Sequence, residues 1–230
     1  CAVHINCPFP EPLYSAQDKS IYLDYIDAVS RWWQSNTTYT CQLSAGIEQQ
    51  IHFSDFADKK GAIVLGSVTL REARLAKQLA EKLGWLLLSD PQSGVTSAWA
   101  HYDLWLQNSA RSELLNQCEL VLQIGSKIVS KRLNQWLADQ VEQRNTQYHY
   151  LAPSADRNNQ SHLMQTHHVA DIEAWLRAFI ESIPALCNTE SGWANELTEV
   201  SQQVANLAAL HLNTDSSLDE IELALSVNLL

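Results

Sequence analysis

Short apolar runs that alternate with amphipathic helical segments are the feature that most constrains the fold of this chain. Residues 62–65 are apolar without interruption, which is typical of a strand buried on both faces. Thr69 and Glu72 then follow with the spacing of a capping box, and Gly84 ends the helix that they open. Because strands and helices keep alternating beyond this unit, the sequence predicts βαβ units and a parallel sheet.

The same pattern predicts the remaining elements of one α/β domain. Further strands are expected at 85–88, 119–124, 148–151 and 167–170, with helices at 109–117, 133–143 and 172–183 and a long polar loop at 89–102. Together these elements predict a three-layer, doubly wound, mostly parallel α/β fold of the Rossmann-like type. Its length of about 140 residues is usual for a domain.

The two ends of the chain differ from this domain. Residues 3–14 resemble the end of a strand followed by three prolines, which cannot donate to a sheet ladder. Amphipathic helices are expected at 16–35, 47–59 and 193–212, and a second capping box, Ser217 with Glu220, opens another helix. We therefore expect a piece of a larger protein with five segments: the end of a preceding domain (1–14), a linker helix and connector (15–45), a central domain (46–184), a linker and helix (185–216) and the start of a following domain (217–230).

The composition argues against several classes of function. A net charge of −11 disfavours nucleic acid and anionic membrane surfaces as partners, although a local basic site for a small anion is compatible with it. Five cysteines are scattered without a CxxC pair, which indicates reduced thiols and a cytoplasmic protein. No apolar run approaches the ~18 residues of a membrane span, and no charged-then-apolar leader precedes Val3.

Most motifs that identify a catalytic or binding site are missing. The sequence contains no GxGxxG, GxxxxGKS/T, GxSxG or HExxH, and the turn at 66–69 has too few glycines to predict a phosphate site. In a strand, the adjacent residues of His167–His168 point to opposite faces, so packed or solvated histidines are expected there and not a metal site. Residues 103–108 could line a cleft, but packing is expected for Trp105 with Leu104 and Leu106. Glu220 and Glu222 could be catalytic carboxylates, but a capping role and a solvated face are expected for them.

One pair of cations, Lys131 and Arg132, follows the most strand-like run in the chain, where α/β sheets usually bind ligands. Ser130 is the expected N-cap, so both cations fall in the first turn of a helix. There each opposes the helix macrodipole by a few tenths to ~1 kcal/mol. An anion near the helix amides would offset that cost, whereas two solvated side chains would cost little. On residue types alone, both interpretations stay open.

The sequence resembles the 2-succinyl-5-enolpyruvyl-6-hydroxy-3-cyclohexene-1-carboxylate (SEPHCHC) synthase family of menaquinone biosynthesis (the MenD family), whose members depend on thiamine diphosphate. The resemblance covers nearly the whole chain in the family's order: residues 3–14, Leu83-Gly-Trp85, Asp103-Leu-Trp-Leu106, Ser112-Glu-Leu114, Gln123-Ile-Gly-Ser126, Lys131-Arg-Leu133, Gln135-Trp136 and Ala170-Asp-Ile-Glu-Ala-Trp175. Two segments depart from the family pattern. Residues 151–157 lack the expected paired acids, and residues 92–101 match loosely.

The resemblance implies a central-domain fragment, flanked by the end of a pyrimidine-binding domain and the first helix of a pyrophosphate-binding domain. The parent would join isochorismate to 2-oxoglutarate with loss of CO2, as a homodimer or tetramer. Thiamine diphosphate and Mg2+ (or Mn2+) would be bound by domains absent here. The fragment is therefore expected to hold no cofactor, metal or catalytic residue and to be inactive alone. The family's Lys-Arg pair near the substrate carboxylates corresponds to Lys131 and Arg132.

Two other interpretations stay open. The chain could be a free-standing Rossmann-like module that binds a nucleotide or an acidic metabolite, but the missing glycine fingerprint counts against it. It could also be an interaction module whose outer helices assemble subunits. That interpretation leaves Lys131 and Arg132 unexplained.

Overall fold

A computed structural model of the chain describes residue 20 and residues 23–44, 53–56, 59–156, 158–159, 161–184 and 193–212. The chain divides into two compact units, Cys1–Thr37 and Thr38–Leu230. The strand expected in residues 3–14, the start of the first helix and the capping box at Ser217 lie outside the described residues. Among the helices that are described, none has both the length and the apolar character needed to cross a membrane.

The described part of the first unit contains helix α1, Leu23–Gln34, within the helix expected from the sequence. Its end is formed locally, because the amide of Ser35 donates to the carbonyl of Trp32 at 2.8 Å. The indole Nε1 of Trp32 donates in turn to the carbonyl of Thr37 at 2.9 Å. No side chain along α1 is buried.

The described residues of the second unit form one sheet of six strands, in which every neighbouring pair is parallel. The strands are β1 Thr40–Ser44, β2 Gly61–Leu65, β3 Leu86–Ser89, β4 Leu120–Ile124, β5 Gln147–Ala152 and β6 Gln165–Val169. Their order across the sheet is β1-β6-β5-β4-β2-β3. The predicted fold class, a doubly wound parallel α/β sheet, is confirmed.

Strand β1 is missing from the sequence prediction, which assigned these residues to a connector. Thr40 pairs with Gln165, and the register continues to Ser44 and Val169 at the edge of the sheet. An edge strand has only one neighbour to pack against. Its five residues, with cysteine and leucine as the apolar members, therefore give a weak periodic signal.

The prediction of a helix at 47–59 is wrong for the residues of this range that the structure describes. Phe53–Asp55 forms a single 3-10 turn. Phe56, which follows it, is only 3% exposed and belongs to the core. Burial of this ring decides the local conformation, since tertiary packing readily overrides a short helical pattern.

Six helices of the second unit are described: α2 Leu70–Leu83, α3 Tyr102–Trp105, α4 Ser109–Ser112, α5 Lys131–Arg144, α6 Ile172–Ser182 and α7 Trp193–Leu212. The predicted capping box is present at the start of α2. The amide of Glu72 donates to Thr69 Oγ1 at 3.3 Å, and the amide of Thr69 donates to Glu72 Oε2 at 2.7 Å. Gly84 ends α2 with a left-handed φ of 63°.

The helices cover both faces of the sheet. Helices α2 and α6 share one core cluster with Ile63 and Leu65, whereas α3, α5 and α7 share the other with Ala62 and Val64. Alternate residues of β2 thus enter opposite cores, which explains why this strand is apolar throughout. Helix α7, which the sequence placed in a linker region, contributes buried residues to the second core, including Leu197 at 0% exposure.

Candidate functional site

The sheet has its topological switch point between β2 and β4. These strands are neighbours, yet the chain leaves β2 into α2 on one face and leaves β4 into α5 on the other. In doubly wound sheets, ligands bind in the crevice at this point, beyond the carboxyl ends of the strands. Loops 66–69 and 125–130 follow β2 and β4 and border this position.

These two loops are joined to each other. The amide of Ser67 donates to the carbonyl of Ser126 at 2.6 Å, in an isolated antiparallel bridge. A Cβ added at Gly66 would lie 2.4 Å from the carbonyl oxygen of Ser126. A Cβ added at Gly125, which has a φ of +77°, would lie 2.6 Å from the carbonyl oxygen of Ser67. Glycine at both positions permits backbone contact where a dinucleotide-binding sheet would hold its ligand.

The predicted cation pair lies beyond this contact, at the start of α5. Ser130 is the N-cap, as expected, and its Oγ accepts from the amide of Leu133 at 3.0 Å. Lys131 and Arg132 are the first two residues of the helix, and both are exposed. Among the described residues, Lys131 makes no salt bridge.

Arg132 already contacts an anion within the chain, the carboxylate of Asp103. Its Nη1 donates to Asp103 Oδ2 at 2.7 Å, and Ser130 Oγ donates to Asp103 Oδ1 at 2.5 Å. The side chains of Arg132 and Asp103 are 48% and 43% exposed, so the pair lies at the surface. A different interpretation therefore applies to each cation. Arg132 faces an anion, whereas Lys131 is an exposed cation on the helix.

Asp103 is the residue that sequence reasoning missed. The sequence predicts packing for Trp105 with Leu104 and Leu106, which is correct for Trp105, at 2% exposure, but not for Leu104, at 48%. It predicts no role for Asp103. Asp103 precedes Arg132 by 29 residues, so no local spacing rule connects them. A possible signal was the lack of any acid in the first turn of α5, where helices usually place one.

A second carboxylate, Asp90, fixes the loop that leads into α5. It follows β3 and is 0% exposed. Its Oδ1 accepts a hydrogen bond from the amide of Gln92 at 3.0 Å, and its Oδ2 accepts one from the amide of Val129 at 2.7 Å. Both acceptor bonds are charge-assisted, which compensates for burial of the carboxylate. Asp90 therefore connects the end of β3 with the residue immediately before the N-cap of α5.

Tyr102 lies beside these two carboxylates and stays protonated. Burial, followed by the negative charges of Asp90 and Asp103, raises the pKa of Tyr102 to about 12. The phenol is only 3% exposed and belongs to the same core as Trp105. Its role is therefore packing, and its hydroxyl group keeps its proton near neutral pH.

The two histidines of β6 are packed on opposite faces, as the sequence predicts. The ring of His167 lies 4.7 Å from that of Tyr150, and the ring of His168 is stacked on His149 at 5.2 Å between centroids. Within the described ranges, no three His, Cys, Asp or Glu residues are grouped to hold a metal ion. Glu220 and Glu222 lie outside those ranges.

Comparison with known proteins assigns the class of this domain. A family model described as "Middle domain of thiamine pyrophosphate" matches residues 23–230. The chain therefore belongs to the middle-domain family of thiamine pyrophosphate enzymes, in agreement with its parallel sheet and flanking helices.

Relatives that carry one enzyme name match almost the whole chain. Proteins named 2-succinyl-5-enolpyruvyl-6-hydroxy-3-cyclohexene-1-carboxylate synthase are 48% identical in Vibrio cholerae serotype O1 (strain M66-2), 45% in Vibrio vulnificus (strain YJ016) and 41% in Vibrio atlanticus (strain LGP32). The alignments cover 98%, 99% and 99% of this chain, but 40%, 39% and 40% of the relatives. The resemblance inferred from the sequence motifs is confirmed, and the chain spans about two fifths of the length of these relatives.

Proposed function

We propose that this chain is the central region of a SEPHCHC synthase. The parent enzyme would convert isochorismate and 2-oxoglutarate to SEPHCHC and CO2, as a cytoplasmic homodimer or tetramer. The observation that carries the proposal is the 48% identity over 98% of the chain to a synthase of which it spans only 40%. The fold alone would also fit other thiamine pyrophosphate enzymes. The sequence identity favours the synthase among them.

The proposed division of the chain keeps the five segments expected from the sequence, with an earlier start for the central domain. Residues 1–14 would end the preceding pyrimidine-binding domain, and residues 217–230 would begin the pyrophosphate-binding domain. The central domain would start at Thr40 and not at residue 46, because β1 pairs with β6 in the central sheet. Helix α7 would act as more than a spacer, since Trp193, Leu197 and Val200 in its first half are buried in the second core of that sheet.

The contribution of this region to the active site would be the contact of Lys131 and Arg132 with substrate carboxylates. Both substrates are dicarboxylates, and a guanidinium binds a carboxylate in a fixed, planar geometry. The exposure of both cations supports this role, as does their position beyond the carboxyl end of β4. The pair would bind and orient substrate and would take no part in proton transfer.

Thiamine diphosphate and Mg2+ (or Mn2+) would be held outside this region. The bound cofactor supplies the carbanion chemistry of 2-oxoglutarate decarboxylation. The described residues do not fit either group, because they offer no cluster of metal-ligating side chains and no glycine-rich phosphate loop. We therefore propose no catalytic or cofactor-binding residue within this chain.

The alternative, a free-standing module for a nucleotide or an acidic metabolite, has less support. Such a module would bind its ligand at the switch point of the sheet. There, the backbone amide of Ser67 already donates to the carbonyl of Ser126 and is not free to bind a ligand. An interaction module alone would again leave the exposed cation pair without a role.

Steady-state kinetics of the full-length protein that contains this region test the proposal. The wild type is expected to form SEPHCHC from both substrates. Arg132→Ala is expected to lower kcat/KM for one substrate by about 30-fold or more, because loss of one partner of a desolvated charge pair costs ~2 kcal/mol or more. Arg144→Ala is the matched control, since it removes an arginine from the last turn of the same helix, in an exposed ion pair with Glu113 at 3.9 Å. Equal kcat/KM in the wild type and Arg132→Ala would refute the assigned role.

A further inference from the structure

We infer that Asp103 is a positioning residue: it holds the guanidinium of Arg132 in the orientation that binds a substrate carboxylate. The inference rests on the proposed function and extends it by a residue on a different element. It assigns different behaviour to the two cations, because Arg132 would be held in place and Lys131 would move with its flexible stem.

The backbone of Asp103 is well anchored. Its helix, α3, has only four residues, but the first and last of them, Tyr102 and Trp105, are 3% and 2% exposed. Both belong to the core that also contains Leu133 of α5, and α3 contacts α5 directly. The carboxylate therefore projects from a fixed point toward the first turn of α5.

The carboxylate makes two directed hydrogen bonds, one with each oxygen. Oδ1 accepts the hydroxyl proton of Ser130, and Oδ2 accepts from Nη1 of Arg132. Because Ser130 gives its only proton to Asp103, its oxygen lone pairs are available to the amide of Leu133. Asp103 thus stabilises the N-cap and fixes the adjacent guanidinium together. A guanidinium has five N–H donors, so the Nη1 contact leaves others for a second carboxylate.

The charge of Asp103 also explains how α5 can begin with two cations. Cations near a helix N-terminus oppose the macrodipole, and acidic residues are the usual occupants. Helix α5 has no acid in its first turn. Asp103 supplies the missing negative charge from α3, so Arg132 can occupy a position that would otherwise disfavour it.

Kinetics of Asp103→Asn in the full-length enzyme test this role, because asparagine keeps the shape of aspartate and removes the charge. The KM of the substrate that responds to Arg132→Ala should rise about tenfold, the loss expected for one charged hydrogen bond, while kcat changes by less than about twofold. Asp103→Glu should recover part of the lost affinity. Glu113→Gln is the control, since it removes a carboxylate that pairs with Arg144 at the other end of α5.

A double-mutant cycle separates positioning from a general structural role. If Asp103 acts through Arg132, then Asp103→Asn should not raise KM further in an Arg132→Ala background. Thermal unfolding of each variant, measured in parallel, identifies any loss of activity that comes from unfolding.

Three results would overturn the inference: an unchanged KM in Asp103→Asn, a KM effect that is fully additive with Arg132→Ala, or a lower KM. The last would mean that Asp103 competes with substrate for Arg132. A wild-type full-length protein without synthase activity would instead refute the proposed function. An active wild type with one of the three results would refute only the role of Asp103.

Discussion

At the residue scale, Gly125 illustrates how a single missing Cβ allows two loops to meet. Its φ of +77° is in the left-handed region, and an added Cβ would lie 2.4 Å from Val68 Cγ1. Its amide donates to the carbonyl of Leu151 at 3.0 Å, so the loop after β4 is held to β5 as well as to the loop after β2. Both the backbone conformation and the lack of space require glycine here.

We predict that Gly125→Ala lowers the free energy of unfolding by about 2–5 kcal/mol, the sum of left-handed strain and overpacking. Gly94→Ala is the matched control. Gly94 has a similar φ of +70°, but its added Cβ would contact only Leu70 Cδ1, at 3.7 Å. Urea unfolding should give the smaller loss, about 1–2 kcal/mol, for Gly94→Ala. Equal losses in the two variants would mean that loop contact at Gly125 contributes nothing.

At the scale of elements, strands β5 and β6 bring two buried histidines together. His149 Nδ1 and His168 Nε2 are 2.9 Å apart, in a hydrogen bond that needs at least one unprotonated ring nitrogen. The rings of Phe56 and Trp175 cover the pair at 5.1 Å and 5.7 Å. The pair therefore joins the two strands in an apolar setting that favours neutral rings.

Both pKa values are lowered to about 4, chiefly by burial. For His149, the charge of Lys59 lowers the pKa further and that of Asp55 raises it; for His168, the neighbouring His149 and His167 lower it. In the unfolded chain these groups titrate near pH 6.5. The unfolded state thus takes up protons first, so stability is full above about pH 6.5 and falls as the pH drops toward about 4.

We predict that unfolding free energy falls by roughly 2–4 kcal/mol between about pH 7.5 and about pH 4.5 because of this pair. In His168→Leu, which leaves one histidine of the pair, the decrease should be clearly smaller than in the wild type. His162→Asn, at an exposed position with φ of 54°, is the control and should keep the wild-type decrease. Urea unfolding at several pH values measures the free energy of unfolding of all three proteins. An identical decrease in His168→Leu would contradict the prediction.

At the scale of the whole molecule, the described residues of the second unit form a sheet with two separate cores and one exposed cation pair at its carboxyl edge. The loops at the switch point contact each other. This arrangement supports the proposed role of the chain, which is to supply structure and one substrate contact to an active site that other domains would complete.

We therefore predict that the 230-residue chain alone does not bind thiamine diphosphate tightly and does not decarboxylate 2-oxoglutarate. Isothermal titration calorimetry with thiamine diphosphate, with and without Mg2+, measures the first, and CO2 release measures the second. The full-length protein is the positive control for both. Magnesium-dependent binding in the micromolar range by the chain alone would show that a cofactor site lies within it.

How far the site could be predicted depends on the distance along the chain between its parts. The N-cap Ser130 and the positions of Lys131 and Arg132 were predictable, because capping and the first helical turn depend on adjacent residues. The partner of Arg132 was not, because Asp103 lies on a different helix and its approach depends on how α3 and α5 pack. The contact between Ser67 and Ser126 was missed for the same reason.

The elements whose signals are local and strong could be predicted from the sequence: the apolar strand at 62–65, the capping box and glycine stop of α2, and the alternation of strands and helices that makes the sheet parallel. Three features became visible only in the folded chain: Thr40–Ser44 joins the sheet, α7 packs into a core, and Asp103 pairs with Arg132. The physical reason is one of range: periodicity and capping act over a few residues, whereas edge pairing, helix docking and ion pairs depend on groups that only folding brings together.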